Sequence, residues 1–154
     1  MKNRLGSFYD ELLVGNTVQH RATKTIFESD NNFFCLLTMN HHPIHLNLEF
    51  AKKHQHGKIM VVGTLVFSLA VGITVPEISG KAIANLEYER VQHISPVFIN
   101  DTIRAETQIL NKSMSTTKND RGVVSVETTV FNQNNEKVLK FRRKVLIPVK
   151  REKK

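Results

Sequence analysis

The chain reads as an α+β fold, with an antiparallel sheet wrapped around one long apolar helix. Three observations predict it. Residues 59–75 are uncharged, with Gly63 near their head. The second half of the chain changes to apolar/polar alternation of period two, in four successive segments. Turn-forming clusters separate those segments, so short helices are followed by a run of strands, which is the α+β order of elements.

Taken in order, residues 17–26 alternate loosely and predict a first strand. Glu28 or Ser29 opens a short helix that carries Phe33, Phe34, Leu36 and Leu37 at helical spacing. Asp30 falls in its first turn, where a carboxylate suits the helix dipole. Pro43 stops anything helical before it. Residues 48–54 predict another short helix ended by Gly57. Residues 64–75 form the central helix, closed by Pro76 and buried on all sides by the sheet. Strands follow over 81–94, 102–112, 122–132 and 137–149. Asn119-Asp120-Arg121-Gly122 and Asn132-Gln133-Asn134-Asn135 supply turns between them.

At 154 residues the chain is long enough for a real core and most simply forms one domain over 1–149, with a basic tail at 150–154. Its single cysteine, Cys35, excludes an internal disulfide framework and fits a reducing cytoplasm. No apolar run follows Met1-Lys2-Asn3-Arg4, so no signal peptide is read. The 17 uncharged residues of 59–75 reach the lower edge of a membrane span, but they contain Gly63, Thr64, Ser68, Gly72 and Thr74. A buried helix explains them better. The net charge of +8 invites an anionic partner, although the tail and Arg142-Arg143-Lys144 supply much of it. A nucleic-acid module is not indicated, because neither a zinc pattern nor an RNA-binding aromatic motif is present.

The chemistry concentrates in one place. Asn40-His41-His42-Pro43-Ile44-His45 is a polar loop with three histidines, set beside the least polar stretch of the chain. That juxtaposition suits a site where a proton moves next to an apolar ligand. His42-x-x-His45 lacks carboxylate or cysteine companions, so no metal is expected.

The same loop, followed by Phe50-Ala51 and Val62-Gly63-Thr64-Leu65, resembles the signature of the MaoC-like, R-specific enoyl-CoA hydratases. The family pattern is Asp-x-Asn-Pro-x-His, an Asp or Asn two residues later, then Phe-Ala, and a Gly before a buried helix. Ser95-Pro96-Val97-Phe98-Ile99-Asn100-Asp101 resembles the family's downstream strand start. The likeness covers about 17–149, and residues 38–45 are most similar to a subgroup that hydrates branched C5 dicarboxylic acyl-CoAs. It implies a hot-dog fold and an acyl-CoA tunnel completed across at least a dimer. It also implies that coenzyme A enters as part of the substrate, with no separate cofactor. In one respect the chain departs from the pattern: Asn40 stands where the family has its catalytic aspartate.

Hydration of an enoyl thioester needs a base for water, an acid for the α-carbon and donors for the enolate oxygen. The resemblance makes His45 the catalytic histidine, and imidazole titrates near working pH. Asn40 cannot carry a proton, but its amide can bind water or orient His45. Gly63 heads the central helix, where free N–H groups favour an anion and a missing side chain permits close approach. The resemblance implies that its N–H forms the oxyanion hole. His42, at the family's asparagine position, completes with Pro43 and Thr64 the expected substrate contacts. Lys118 and Arg121, on a turn, and Arg142 to Lys144 are candidates for the CoA phosphates. Arg90 and His93 could meet a substrate carboxylate, but strand alternation puts them on the solvated face. A hot-dog thioesterase and a non-catalytic acyl-CoA-binding protein are the competing readings. The loop offers no carboxylate for the first, and Asn40 motivates the second.

Overall fold

The computed structural model describes residues 5–150. Met1 to Arg4 and most of the basic tail therefore lie outside the described residues. Two short strands, β1 (Thr17–Gln19) and β2 (Lys24–Thr25), replace the single strand expected over 17–26. Both pair with β4 (Thr102–Met114), Gln19 opposite Glu106 and Lys24 opposite Ile103. Four residues on one side therefore face two on the other, and the ladder breaks between them.

Helix α1 (Glu28–Thr38) starts where Phe27 N–H donates to the Asp30 carboxylate at 2.9 Å. Lys24 pairs with Asp30 at 2.7 Å, and this ion pair leads in holding its carboxyl below the usual range. The helix ends at Met39, which takes the left-handed conformation (φ 58°). Its inward stripe is Asn31, Phe34 and Cys35, whereas Phe33, Leu36 and Leu37 are exposed. Pro43 opens α2 (Pro43–Leu46), because its fixed φ and missing N–H suit a first helical position. The next helix, α3 (Leu48–Lys52), is capped by the Asn47 side chain, and Gly57 falls in the turn beyond it at φ 66°.

Helix α4 (Gly63–Thr74) is the central helix. Pro76 does not close it, and the chain continues as a π-helical turn over Val75–Ser79. The sheet runs β1-β4-β5-β6-β3, with β3 spanning Ala84–His93, β5 Arg121–Phe131 and β6 Lys137–Pro148. Alternation along β4, β5 and β6 turns Ile103, Ala105, Val130, Leu139 and Phe141 towards Leu65, Val66, Ala70 and Ile73 of α4. The helix is not buried on all sides as expected, because Thr64, Ser68 and Gly72 form an exposed stripe of small residues along it. No helix among the described residues is long and apolar enough to cross a membrane.

A polar network lies beneath the carboxyl end of α4. Arg143, expected at the surface, is 1% exposed and donates to Thr74 Oγ1, Asn85 Oδ1 and Ser79 Oγ. His20 Nδ1 lies 2.9 Å from Glu77 Oε2, and its Nε2 lies 2.7 Å from Thr107 Oγ1. Burial pushes the His20 imidazole below its ordinary 6.5, outweighing the pull of Glu77.

Candidate active site

A cavity of about 320 Å³ opens at the amino end of α4. Met60, Val61, Val66, Ile94, Val97 and Val138 give it apolar walls, and three imidazoles, His45, His56 and His93, reach it. No aspartate or glutamate is among the residues that line it.

The proline and the His42 cap shape the turn that presents His45. His42 Nδ1 accepts from Ile44 N–H at 3.2 Å, closing the first turn of α2. His45 Nδ1 lies 2.8 Å from the Met60 carbonyl oxygen. A carbonyl can only accept, so Nδ1 carries the proton and Nε2 keeps a free lone pair. Met60 is fixed in turn by a β-bridge to Phe98, and Val61 N–H donates to Val97 O at 2.8 Å.

A buried asparagine ties this loop to the helix. Asn31, fully buried in α1, donates from Nδ2 to the His45 carbonyl at 2.9 Å. Its Oδ1 accepts from Val62 N–H at 3.0 Å. Val62 immediately precedes Gly63, so one amide side chain sets the two halves of the site against each other. The Gly63 and Thr64 N–H groups, at the first two positions of α4, have no protein acceptor among the described residues. They are free donors at the positive end of the helix dipole.

His45 and Gly63 are thus brought together, but not every expected residue joins them. Asn40 is half-buried just after α1, its N–H donating to Cys35 O, and it does not line the cavity. His42 is exposed and spends its Nδ1 on the helix cap, stacking edge-on with His45 and Phe50. Pro43 and Thr64 also stand outside the lining. Lys118 belongs to a separate concavity formed by residues 115–120, and Arg121 donates to the Asp120 carboxylate at 2.6 Å. Arg142 pairs with Glu127, which Lys140 shares, and Lys144 pairs with Glu87 and Glu89.

Asn31 and His56 are the residues that sequence reasoning missed, and His93 is one that it set aside as solvated. The cause is clearest for His93. Strand β3 carries two irregularities against β6, one of them between Glu89 and Gln92, where Arg90 sits at φ 52°. One extra residue there reverses the alternation beyond it, since a shift of one moves every later side chain to the opposite face. Arg90 lines a different cavity beside Glu127 and Lys140, whereas His93 turns onto Gly63.

The MaoC-like domain family matches residues 11–132. The chain belongs to that family. A mesaconyl-CoA hydratase from Cereibacter sphaeroides is 32% identical over 147 residues, covering 96% of this chain and 43% of the relative. A β-methylmalyl-CoA dehydratase from Chloroflexus aurantiacus is 30% identical over 150 residues, covering 95% and 41% respectively. This MaoC-like chain therefore spans less than half the length of those relatives. Among solved structures, a MaoC domain protein dehydratase from Chloroflexus aurantiacus superposes with a TM-score of 0.92 at 29% identity, over 99% of this chain and 43% of that one. A double-hotdog protein from Mycobacterium tuberculosis reaches 0.86 at 18% identity, over 97% and 46%. The fold is the hot dog that the sequence implies.

Proposed function

We propose that this MaoC-like chain adds water to, or removes it from, the double bond of an enoyl-CoA thioester of the branched C5 dicarboxylic class. The observation that carries the reading is the pairing of His45, its Nδ1 held by Met60 O, with the free N–H of Gly63 at the same apolar cavity. In this reading the thioester oxygen docks on the helix amides, where developing enolate charge is stabilised. Loss of one such donor costs about 100- to 1,000-fold in rate. His45 Nε2 takes a proton from water as its oxygen bonds to the β-carbon. The imidazolium then returns that proton to the α-carbon, and the carbonyl re-forms. The scheme routes no proton through Asn40, which stands outside the cavity lining. Coenzyme A is part of the substrate, and no further cofactor is invoked.

The cavity lining favours this over thioester hydrolysis, because it offers no carboxylate to activate water against the carbonyl carbon. Incubation with mesaconyl-, itaconyl- and crotonyl-CoA, following enoyl absorbance and free thiol separately, tests the reading. Loss of enoyl absorbance without thiol is the expected result, and release of thiol alone overturns it.

The same reading places a second hot-dog unit, in a homodimer, against the outer edge of β3. That edge ends the sheet and exposes Ile83, Leu86, Tyr88, Val91 and Ile94, and α4 exposes its stripe of small residues. The doubled length of the relatives supports it. A reducing cytoplasm suits the free thiol of Cys35.

A further inference from the structure

The loop histidine accounts for one of the three imidazoles at the cavity, and the mechanism above uses neither of the others. His93 is the better defined. A β-carbon built on Gly63 would lie 2.8 Å from His93 Cε1, 3.1 Å from Nε2 and 3.2 Å from Nδ1. The ring edge that carries both nitrogens is therefore the edge turned towards Gly63. The ring is exposed, at the mouth of the cavity, and neither nitrogen hydrogen-bonds to protein among the described residues. His56 lines the same cavity and stands edge-on to Phe98, whose ring also carries Lys58 Nζ at 4.0 Å. Such imidazoles donate one N–H when neutral and two when protonated. No carboxylate among the lining residues competes for those donors.

We propose that His93, assisted by His56, binds the free carboxylate of a dicarboxylic enoyl-CoA and so selects it over a monocarboxylic one. The inference rests on the hydratase reading for the pose of the substrate. With the thioester oxygen at the Gly63 amide, the acyl chain runs past the face of Gly63 that His93 covers. The second carboxylate of the substrate lies beyond the double bond and meets those donors. The bulge at Arg90 is what makes this contact possible, by turning His93 to the α4 side of β3.

The test compares wild type, His93→Gln and His56→Gln for kcat/KM on mesaconyl-CoA and on crotonyl-CoA, which lacks the carboxylate. Both esters are assayed on one preparation, so the ratio does not depend on how much of a variant is folded. Wild type should prefer mesaconyl-CoA. In His93→Gln the preference should fall by about 10- to 100-fold, the scale of a lost hydrogen bond to a charged group, through KM for mesaconyl-CoA. A smaller fall is expected for His56→Gln. A wild type indifferent to the carboxylate overturns the proposal. So does a parallel loss on both esters in His93→Gln, which would mark that ring as a proton-transfer group. Calorimetric binding of the same two esters separates this inference from the hydratase reading. Selective binding without turnover, abolished in His93→Gln, sustains the carboxylate site while refuting the activity. Equal binding of both esters removes the site whatever the activity.

Discussion

Replacing Asn31 by Ala should both destabilise the fold and disarm the site, because one buried side chain bridges both halves. The substitution deletes the donor to the His45 carbonyl and the acceptor of Val62 N–H, contacts of 2.9 and 3.0 Å at a fully buried position. Each orphaned group costs about 1–3 kcal/mol, so the loss from the two should be about 2–6 kcal/mol, a large part of the stability of an ordinary domain. The loop bearing His45 is then released from the residue preceding Gly63. Misplacement on the ångström scale lowers turnover by about 10- to 100-fold. Asn31→Asp keeps the acceptor for Val62 but loses the donor, and it should fall between wild type and Asn31→Ala in turnover. Urea unfolding followed by circular dichroism measures the first effect. Turnover well below the melting temperature, on the folded fraction, measures the second. An Asn31→Ala protein within 1 kcal/mol of wild-type stability and twofold of its kcat would refute the clip (thresholds of ~1 kcal/mol and about twofold reflect ordinary surface substitutions).

His45→Ala should stay folded and lose at least about 100-fold in kcat, read by enoyl absorbance, and near-normal turnover would remove it from the mechanism. Asn40→Ala should cost about 10- to 100-fold if the amide orients water or His45, and Asn40→Asp should carry the pH profile upward by placing a carboxylate near the imidazole. Equal activity in all three forms over pH 6–9 (a window set about the ordinary imidazole value of ~6.5) would leave Asn40 without a role. Stability should decline as pH is lowered below the ordinary 6.5 of His20, because burial depresses the folded-state pKa and the unfolded chain takes up the proton first. That contribution is complete above the unfolded value and lost as pH falls through the folded one. His20→Gln should flatten this part of the stability curve in pH-dependent thermal unfolding. Sedimentation equilibrium at micromolar concentration should find at least a dimer, and a lone 17.6 kDa species would contradict the second unit on β3.

The fold and half of the site were legible because they rest on local patterns. An uncharged stretch headed by Gly63 and four alternating segments suffice for one helix against an antiparallel sheet, since helix and strand periodicities differ and each segment keeps its own. Pro43 and His45 could be read together because a proline-led turn presents the second residue after it in a fixed direction. What the tertiary structure decided depends on contacts between distant segments. Asn31 looks like one more polar residue of a short helix until folding buries it between His45 and Val62. The apolar spacing of α1 suggested that Phe33, Leu36 and Leu37 face inward, yet the face holding Asn31 is the buried one. Arg143 continues the inward alternation of β6, so a residue that composition assigns to the surface ends beneath α4. His93 is the sharpest case. Asn85, Tyr88 and His93 pair with the inward residues Val145, Arg143 and Leu139, a spacing that two extra residues in β3 produce and unbroken alternation does not. Periodicity reports which face a side chain takes only while the register is unbroken, and the register belongs to the sheet as a whole.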